Sequence, residues 1–152
     1  MPSRHAADDA AVAAFTDLAA WRSASGHATT VLVVDDEREA VVAVKTTLAA
    51  LGYAVETAAN GADAMEKASR LRPDIVITDL LMPVVDGIGL AKALRADPRT
   101  ASTHIVLCSG VAEGSVRALF DGYDAFLHKP YEIDDLERTL AGLRPAQRLT
   151  GS

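Results

Sequence analysis

Val31-Leu32-Val33-Val34-Asp35-Asp36 is a short apolar run that ends abruptly in two carboxylates. The same plan recurs downstream. Ile75-Val76-Ile77-Thr78 runs into Asp79, His104-Ile105-Val106-Leu107-Cys108 into Ser109, and Ala125-Phe126-Leu127-His128 into Lys129-Pro130. Short β-branched or leucine-rich runs separated by helical stretches read as buried parallel strands. In an open parallel sheet the carboxyl ends of the strands line the ligand crevice. Three carboxylates, one hydroxyl and one ammonium should therefore meet at one place, which makes a site and not a solvated surface.

The chain resolves into five strand–helix units. Strands are expected near residues 31–35, 53–58, 74–79, 104–109 and 124–128, and helices over about 38–51, 61–71, 87–96, 112–121 and 132–143. Gly52 and Asn60-Gly61 punctuate the second unit, and Pro73 stops the helix before the third strand. Val41, Val44, Leu48 and Leu51 give the first helix an apolar stripe interrupted only by Lys45. Alternating strands and helices imply α/β architecture, a parallel sheet with helices on both faces.

Composition excludes several classes. At 152 residues the chain fits one domain with a real core. A formal charge of −6 and a pI near 5.1 argue against direct nucleic-acid binding, which normally needs a basic patch. No apolar stretch approaches the ~20 residues of a membrane span. The N-terminus, with Asp8 and Asp9, lacks the basic-then-apolar order of a secretory signal. Cys108 is the only cysteine, so no internal disulfide can form, and a cytoplasmic location is expected.

The order Asp35-Asp36, then Asp79-x-x-Met82-Pro83-x-x-Asp86-Gly87, then Ser109-Gly110, then Phe126-x-x-Lys129-Pro130 resembles the receiver domain of bacterial two-component response regulators. The resemblance runs from about Val31 to Leu143. Each element alone is common; together, in this order and each after a strand, they are specific. It implies a doubly wound, flavodoxin-like (βα)5 domain of the stand-alone chemotaxis-regulator type, with strand order 2-1-3-4-5.

The chemistry follows from the residue types. Asp35, Asp36 and Asp79 brought together repel by several kcal/mol at an effective dielectric near 20, so a cation belongs among them. A hard divalent ion with oxygen ligands suits them, and Mg²⁺ commonly takes one or two carboxylates plus phosphate oxygens. The resemblance implies Asp36, Asp79 and the backbone carbonyl of Leu81 as ligands, with Asp35 acting through a water. It further implies Asp79 as the phosphoacceptor, with Lys129 and Ser109 stabilising the transferred group. The donor is expected to be a phosphohistidine on a sensor histidine kinase or phosphotransfer protein. Ser109 and Phe126 are the expected switch pair: the hydroxyl moves toward the phosphoryl group and the ring fills the space behind it. The face that changes for a downstream protein partner should be the fourth helix, fifth strand and fifth helix.

Blander readings exist for several of these positions. Asp35-Asp36 could cap the first helix. Asp86-Gly87 reads as a turn and N-cap opening the third helix, and Met82-Pro83 as shaping the loop below Asp79. His104 and His128 read as strand residues, since no second histidine or cysteine stands at metal spacing. Cys108 reads as buried and inert, and Phe126 could be plain core. A Mg²⁺-dependent phosphohydrolase of the haloacid dehalogenase type would place its acid pair as Asp-x-Asp on the nucleophile strand, and here the pair is adjacent and on another strand. A docking-only receiver, or one excised from a larger hybrid kinase, would keep the fold with little phosphorylation.

Departures from the common pattern tune the expectation. Leu81 and Val111 are apolar where relatives carry polar side chains that orient the hydrolytic water, so self-dephosphorylation should be slow. Gly110 is small and leaves the site open to small phosphodonors. The stretch from Ser109 to Lys129 is shorter than usual, with the loss expected in the fourth helix, which Gly114 weakens further. Thr139 replaces the arginine of dimerising DNA-binding regulators, so that particular dimer is not expected. Residues 29–144 should form the receiver and 145–152 a flexible tail too short for an output domain. Residues 1–28 should carry an amphipathic helix, capped by Asp8 or Asp9 and ended near Ser25-Gly26. Ala11, Ala14, Phe15, Leu18 and Trp21 share its apolar face. That helix, or the fourth-helix face, could carry a homodimer.

Overall fold

The four apolar runs and the mixed stretch Ala54–Ala58 become five parallel strands in a single sheet, each followed by a helix that returns the chain to the sheet's starting edge. The computed structural model describes residues 28–82 and 85–143. In chain order the elements are β1 (Thr30–Val34), α1 (Arg38–Ala50), β2 (Ala54–Ala58), α2 (Gly61–Leu71) and β3 (Ile75–Asp79). They continue with α3 (Gly87–Ala96), β4 (His104–Ser109), α4 (Glu113–Leu119), β5 (Ala125–His128) and α5 (Ile133–Gly142). The sheet order is β2-β1-β3-β4-β5, as the resemblance implied. The amphipathic helix expected around Ala11–Trp21, the tail from 145 onward and Pro83 lie outside the described residues.

Strand alternation divides the core. Val31, Val33, Ile75, Ile77, Val106, Cys108 and Leu127 face Leu48 of α1 and Leu136 and Leu140 of α5. Leu32, Val34, Val76, Ile105 and Leu107 face Ala64 and Ala68 of α2, Leu90, Ala91 and Leu94 of α3, and Val116 of α4. Two helices thus cover one face and three the other, and strands buried on both faces read as continuous apolar runs. The stripe on α1 holds: Val41 and Leu48 are buried, Val44 and Leu51 pack against the same cluster, and Lys45 is exposed.

The local signals act where expected. Asn60 caps α2 by accepting the Asp63 amide at 2.8 Å, and Asp86 caps α3 by accepting the Gly89 amide at 2.8 Å. α2 ends at Leu71, and Arg72 leaves it in the left-handed region at φ 49° just before Pro73. One helix is shorter than its pattern predicts. The expected span 112–121 contracts to Glu113–Leu119, because Ala112 offers no side-chain cap and Phe120 is already extended.

At the end of the sheet away from the carboxylates, one side chain ties the loops that enter β4 and β5 to α3. Arg95, at the end of α3, donates from Nε to the Gly122 carbonyl at 2.8 Å and from Nη1 to the carbonyls of Ala101 and Thr103. Its Nη2 bonds Asp124 Oδ2 at 2.7 Å, and that oxygen also accepts the Ile105 amide at 2.7 Å. His104 Nδ1 stands 3.8 Å from the same oxygen, beyond hydrogen-bond reach.

Burial pushes the Asp124 pKa up, but the hydrogen bonds it accepts outweigh that and bring it down to about 2. Its folded pKa is therefore below its unfolded one. The carboxylate stabilises the fold above pH ~4, and that contribution is lost as pH falls toward 2. Replacing Arg95 by Ala strands three carbonyls and a carboxylate, and should cost about 2–3 kcal/mol. Urea denaturation at pH 7 should show a lower midpoint with unchanged slope.

Candidate functional site

Register alone sets the site. Val34 pairs with Thr78, so Asp35 and Asp79, each the next residue, end adjacent strands side by side. Asp79 pairs with Cys108 and Ser109 with His128, so Ser109 and Lys129 follow one step further out along the same edge. Backbone bonds lock this order. The Asp35 amide donates to the Ala58 carbonyl at 3.3 Å, Leu80 to Cys108 at 2.9 Å, and Lys129 to Ser109 at 2.8 Å. Gly87 completes the floor, because a Cβ there would lie 2.5 Å from the Asp79 carbonyl oxygen. Only glycine lets the start of α3 approach the Asp79 backbone so closely.

The side chains converge. One carboxylate oxygen from each of Asp35, Asp36 and Asp79 lies within 4.8 Å of the others, and no histidine or cysteine joins them among the described residues. Lys129 Nζ stands 2.9 Å from Asp79 Oδ1 and 3.7 Å from Asp35 Oδ2. Burial, aided by the Asp79 and Asp36 charges, raises the Asp35 pKa, although the Glu37 amide and Lys129 oppose the rise. Lys129 moves the other way: burial would lower its pKa, but the bond to Asp79 and the Asp79 and Asp35 charges raise it. The ammonium is secure, and it is one cation beside three carboxylates. Three hard oxygen donors with too little positive charge fit Mg²⁺.

The capping alternative for Asp35-Asp36 fails. The N-cap of α1 is Glu37, without a side-chain cap bond, and Asp35 Oδ1 instead accepts the Glu37 amide at 2.9 Å. Ser109 is buried, and its Oγ accepts the Val111 amide at 3.0 Å. Phe126 is half-buried against the Tyr123 ring, 6.1 Å between centroids. Leu81 is 67% exposed and Val111 39%, so both stand on the rim with their apolar side chains in solvent. A Cβ at Gly110 would meet nothing within 4 Å, which leaves that side of the rim open. Burial raises the Cys108 thiol to about 12, so it is inert.

Two features escaped the sequence reading. Tyr131 walls a cavity of about 60 Å³ beneath Asp35, Asp79, Cys108 and Lys129, and burial lifts its hydroxyl to about 12. Its position two residues after Lys129 was the available signal. A groove of about 540 Å³ also opens beside Asp36, between Arg38 and Val42 on one side and Asp63 and Lys67 on the other. Its walls come from three elements, and no local pattern marks them.

Residues 31–141 match the response regulator receiver domain family. The chain is 34% identical over 106 residues to the transcriptional regulatory protein PrrA of Mycobacterium tuberculosis, covering 70% of this chain and 46% of that one. It spans about half the length of the curated relatives it matches. Among solved structures, the chemotaxis response regulator CheY4 of Vibrio cholerae superposes with a TM-score of 0.71 at 34% identity, over 76% of this chain and 98% of that one. The receiver domain of the sensor histidine kinase PA1611 of Pseudomonas aeruginosa superposes with a TM-score of 0.69 at 29% identity, over 82% and 99%. That structure holds a magnesium ion in its active-site cleft.

A carboxylate whose folded pKa is raised subtracts stability at neutral pH and none at acid pH, where it is neutral in both states. Asp35→Asn should therefore raise the melting temperature of the metal-free protein at pH 7 by about 2–5 °C. Mg²⁺ should then raise the wild-type melting temperature more than the variant's. Thermal denaturation with and without Mg²⁺ reads both effects.

Proposed function

The chain belongs to the response regulator receiver domain family, and we propose that it accepts a phosphoryl group on Asp79 and signals by a conformational switch to a protein partner. The observation that carries this is the pairing of Asp79 with Lys129 at 2.9 Å on the edge where Asp35 and Asp36 also gather. The donor we propose is a phosphohistidine of a sensor histidine kinase or phosphotransfer protein.

In the transfer, an Asp79 carboxylate oxygen forms the new O–P bond as the P–N bond to the donor imidazole breaks. The electron pair stays on the imidazole nitrogen, which takes up a proton. Lys129 holds Asp79 in place and meets the charge on the phosphoryl oxygens, and the Ser109 hydroxyl donates to one of them. Asp36, Asp79 and the Leu81 carbonyl would hold Mg²⁺, with Asp35 reaching it through a water. When bound, the ion supplies positive charge that the carboxylates lack. Ser109 then shifts toward the phosphoryl group, and Phe126 turns into the space it leaves. That couples a covalent event at the sheet's edge to the α4–β5–α5 face.

A second reading concerns context. The match to about half of each curated relative, and to the receiver of a sensor kinase, supports a module that works with an output or kinase domain. The acidic balance of this chain supports a reading in which any DNA contact is made by such a partner.

Incubation with acetyl phosphate and Mg²⁺ should add one phosphoryl group by intact mass, and both Asp79→Asn and EDTA should abolish it. Absence of the adduct in the wild type would leave a docking module. With apolar Leu81 and Val111 at the rim, the adduct should be long-lived. Leu81→Asn, which puts an amide where a water could be oriented, should shorten its half-life by about 3–10-fold in a mass-based chase.

A further inference from the structure

The loop between α4 and β5 carries a contact that the site does not use. Tyr123 donates its hydroxyl to Glu113 Oε2 at 2.9 Å, linking that loop to the first turn of α4. Arg117, one turn on, pairs with the same carboxylate and lays its guanidinium over the Tyr123 ring, 5.5 Å from the centroid. The same ring also packs at a tilt against Phe126, the residue expected to move.

We propose that the Tyr123–Glu113 pair is a latch that holds α4 in its resting position, so that this contact sets how readily the chain reaches its phosphorylated conformation. The proposal rests on the phosphoryl-acceptor reading above and adds to it a residue that gates the response.

The latch has a rigid side and a soft side. Arg95 bonds the carbonyl of Gly122 and the carboxylate of Asp124, the residues on either side of Tyr123. Asp124 is further tied to the Ile105 amide in β4. Gly122 is itself packed beneath Phe120, whose ring would lie 2.5 Å from a Cβ there. Tyr123 is therefore presented from a fixed post. α4 is the opposite: it has seven residues, no side-chain N-cap and a single buried residue, Val116, while Gly114 weakens its first turn. Its last residue, Leu119, is 71% exposed and contributes little packing. Glu113 lies only four residues beyond Ser109, so a shift of Ser109 pulls on the helix end that Tyr123 holds. Burial, then the bond to Glu113, raise the phenol's pKa, which keeps it a donor.

The test compares Tyr123→Phe with wild type in the full chain. The variant keeps the ring contacts to Phe126 and Arg117 and removes only the hydrogen bond. An ordinary net hydrogen bond at a partly exposed site corresponds to roughly a 3–10-fold change in the equilibrium. Amide exchange over residues 113–119 of the unphosphorylated protein should speed up by about that factor, and beryllofluoride with Mg²⁺ should bind tighter by a similar one. Glu113→Gln, which weakens the contacts to both Tyr123 and Arg117, should also speed the exchange. Unchanged exchange in Tyr123→Phe overturns the latch, and faster exchange with unchanged beryllofluoride affinity overturns its gating role. If the wild type binds no beryllofluoride at all, the acceptor reading fails, while the exchange comparison still decides whether the pair holds the helix.

Discussion

The structure depends on a charge imbalance at one edge of its sheet. Three carboxylates stand within 4.8 Å of one another, and one ammonium stands 2.9 and 3.7 Å from two of them. At an effective dielectric near 20, each of the three repulsions is worth roughly 3–4 kcal/mol and each of the two attractions roughly 5. The pairwise sums nearly cancel. What remains is the desolvation of groups drawn partly out of water, and this is the leading cause of the raised Asp35 pKa. A chain folding only for stability would not keep this arrangement. The rest of the domain supplies what it lacks: a deep two-faced core, a register that leaves the carboxylates no room to separate, and a glycine that lets α3 close beneath Asp79.

Most of this was legible in the sequence because the information is local and periodic. Four of the strands show as apolar runs, and most of the candidate site residues stand at or just past the end of one. Strand boundaries fell within a residue of expectation, because the apolar runs of the four other strands and the turn residues around β2 mark them. Asp86 was recognisable as a cap because its partner lies three residues on, and Asn60-Gly61 marked the break before α2. Other features join distant residues and carry no pattern. The Arg95 clamp gathers carbonyls at 101, 103 and 122 and a carboxylate at 124, all on loops. The rejection of the capping reading needed the observed bond between Asp35 and the Glu37 amide, because either acidic residue could have capped from sequence alone. The early end of α4 turned on Phe120 being extended, which helical periodicity does not reveal.

The same contrast explains where this fold can move. α1 and α5 bring paired buried side chains to their face of the sheet, as α2 and α3 do to the other. Displacing any of them would open a cavity lined by residues that now exclude water, at a cost of several kcal/mol. α4 inserts only Val116, and the remainder of its patch is closed by Phe120, Tyr123 and Phe126, which are partly buried. Aromatic rings can turn about two side-chain torsions and still cover the sheet, so the surface under α4 can repack without being emptied. Beyond them, Arg95 keeps the loop from following the helix. The proposed shift of Ser109 would therefore reach α4 and the rings beneath it first. A change of that kind costs a few hydrogen bonds, a scale that a single phosphoryl group can supply through its differential contacts with two states.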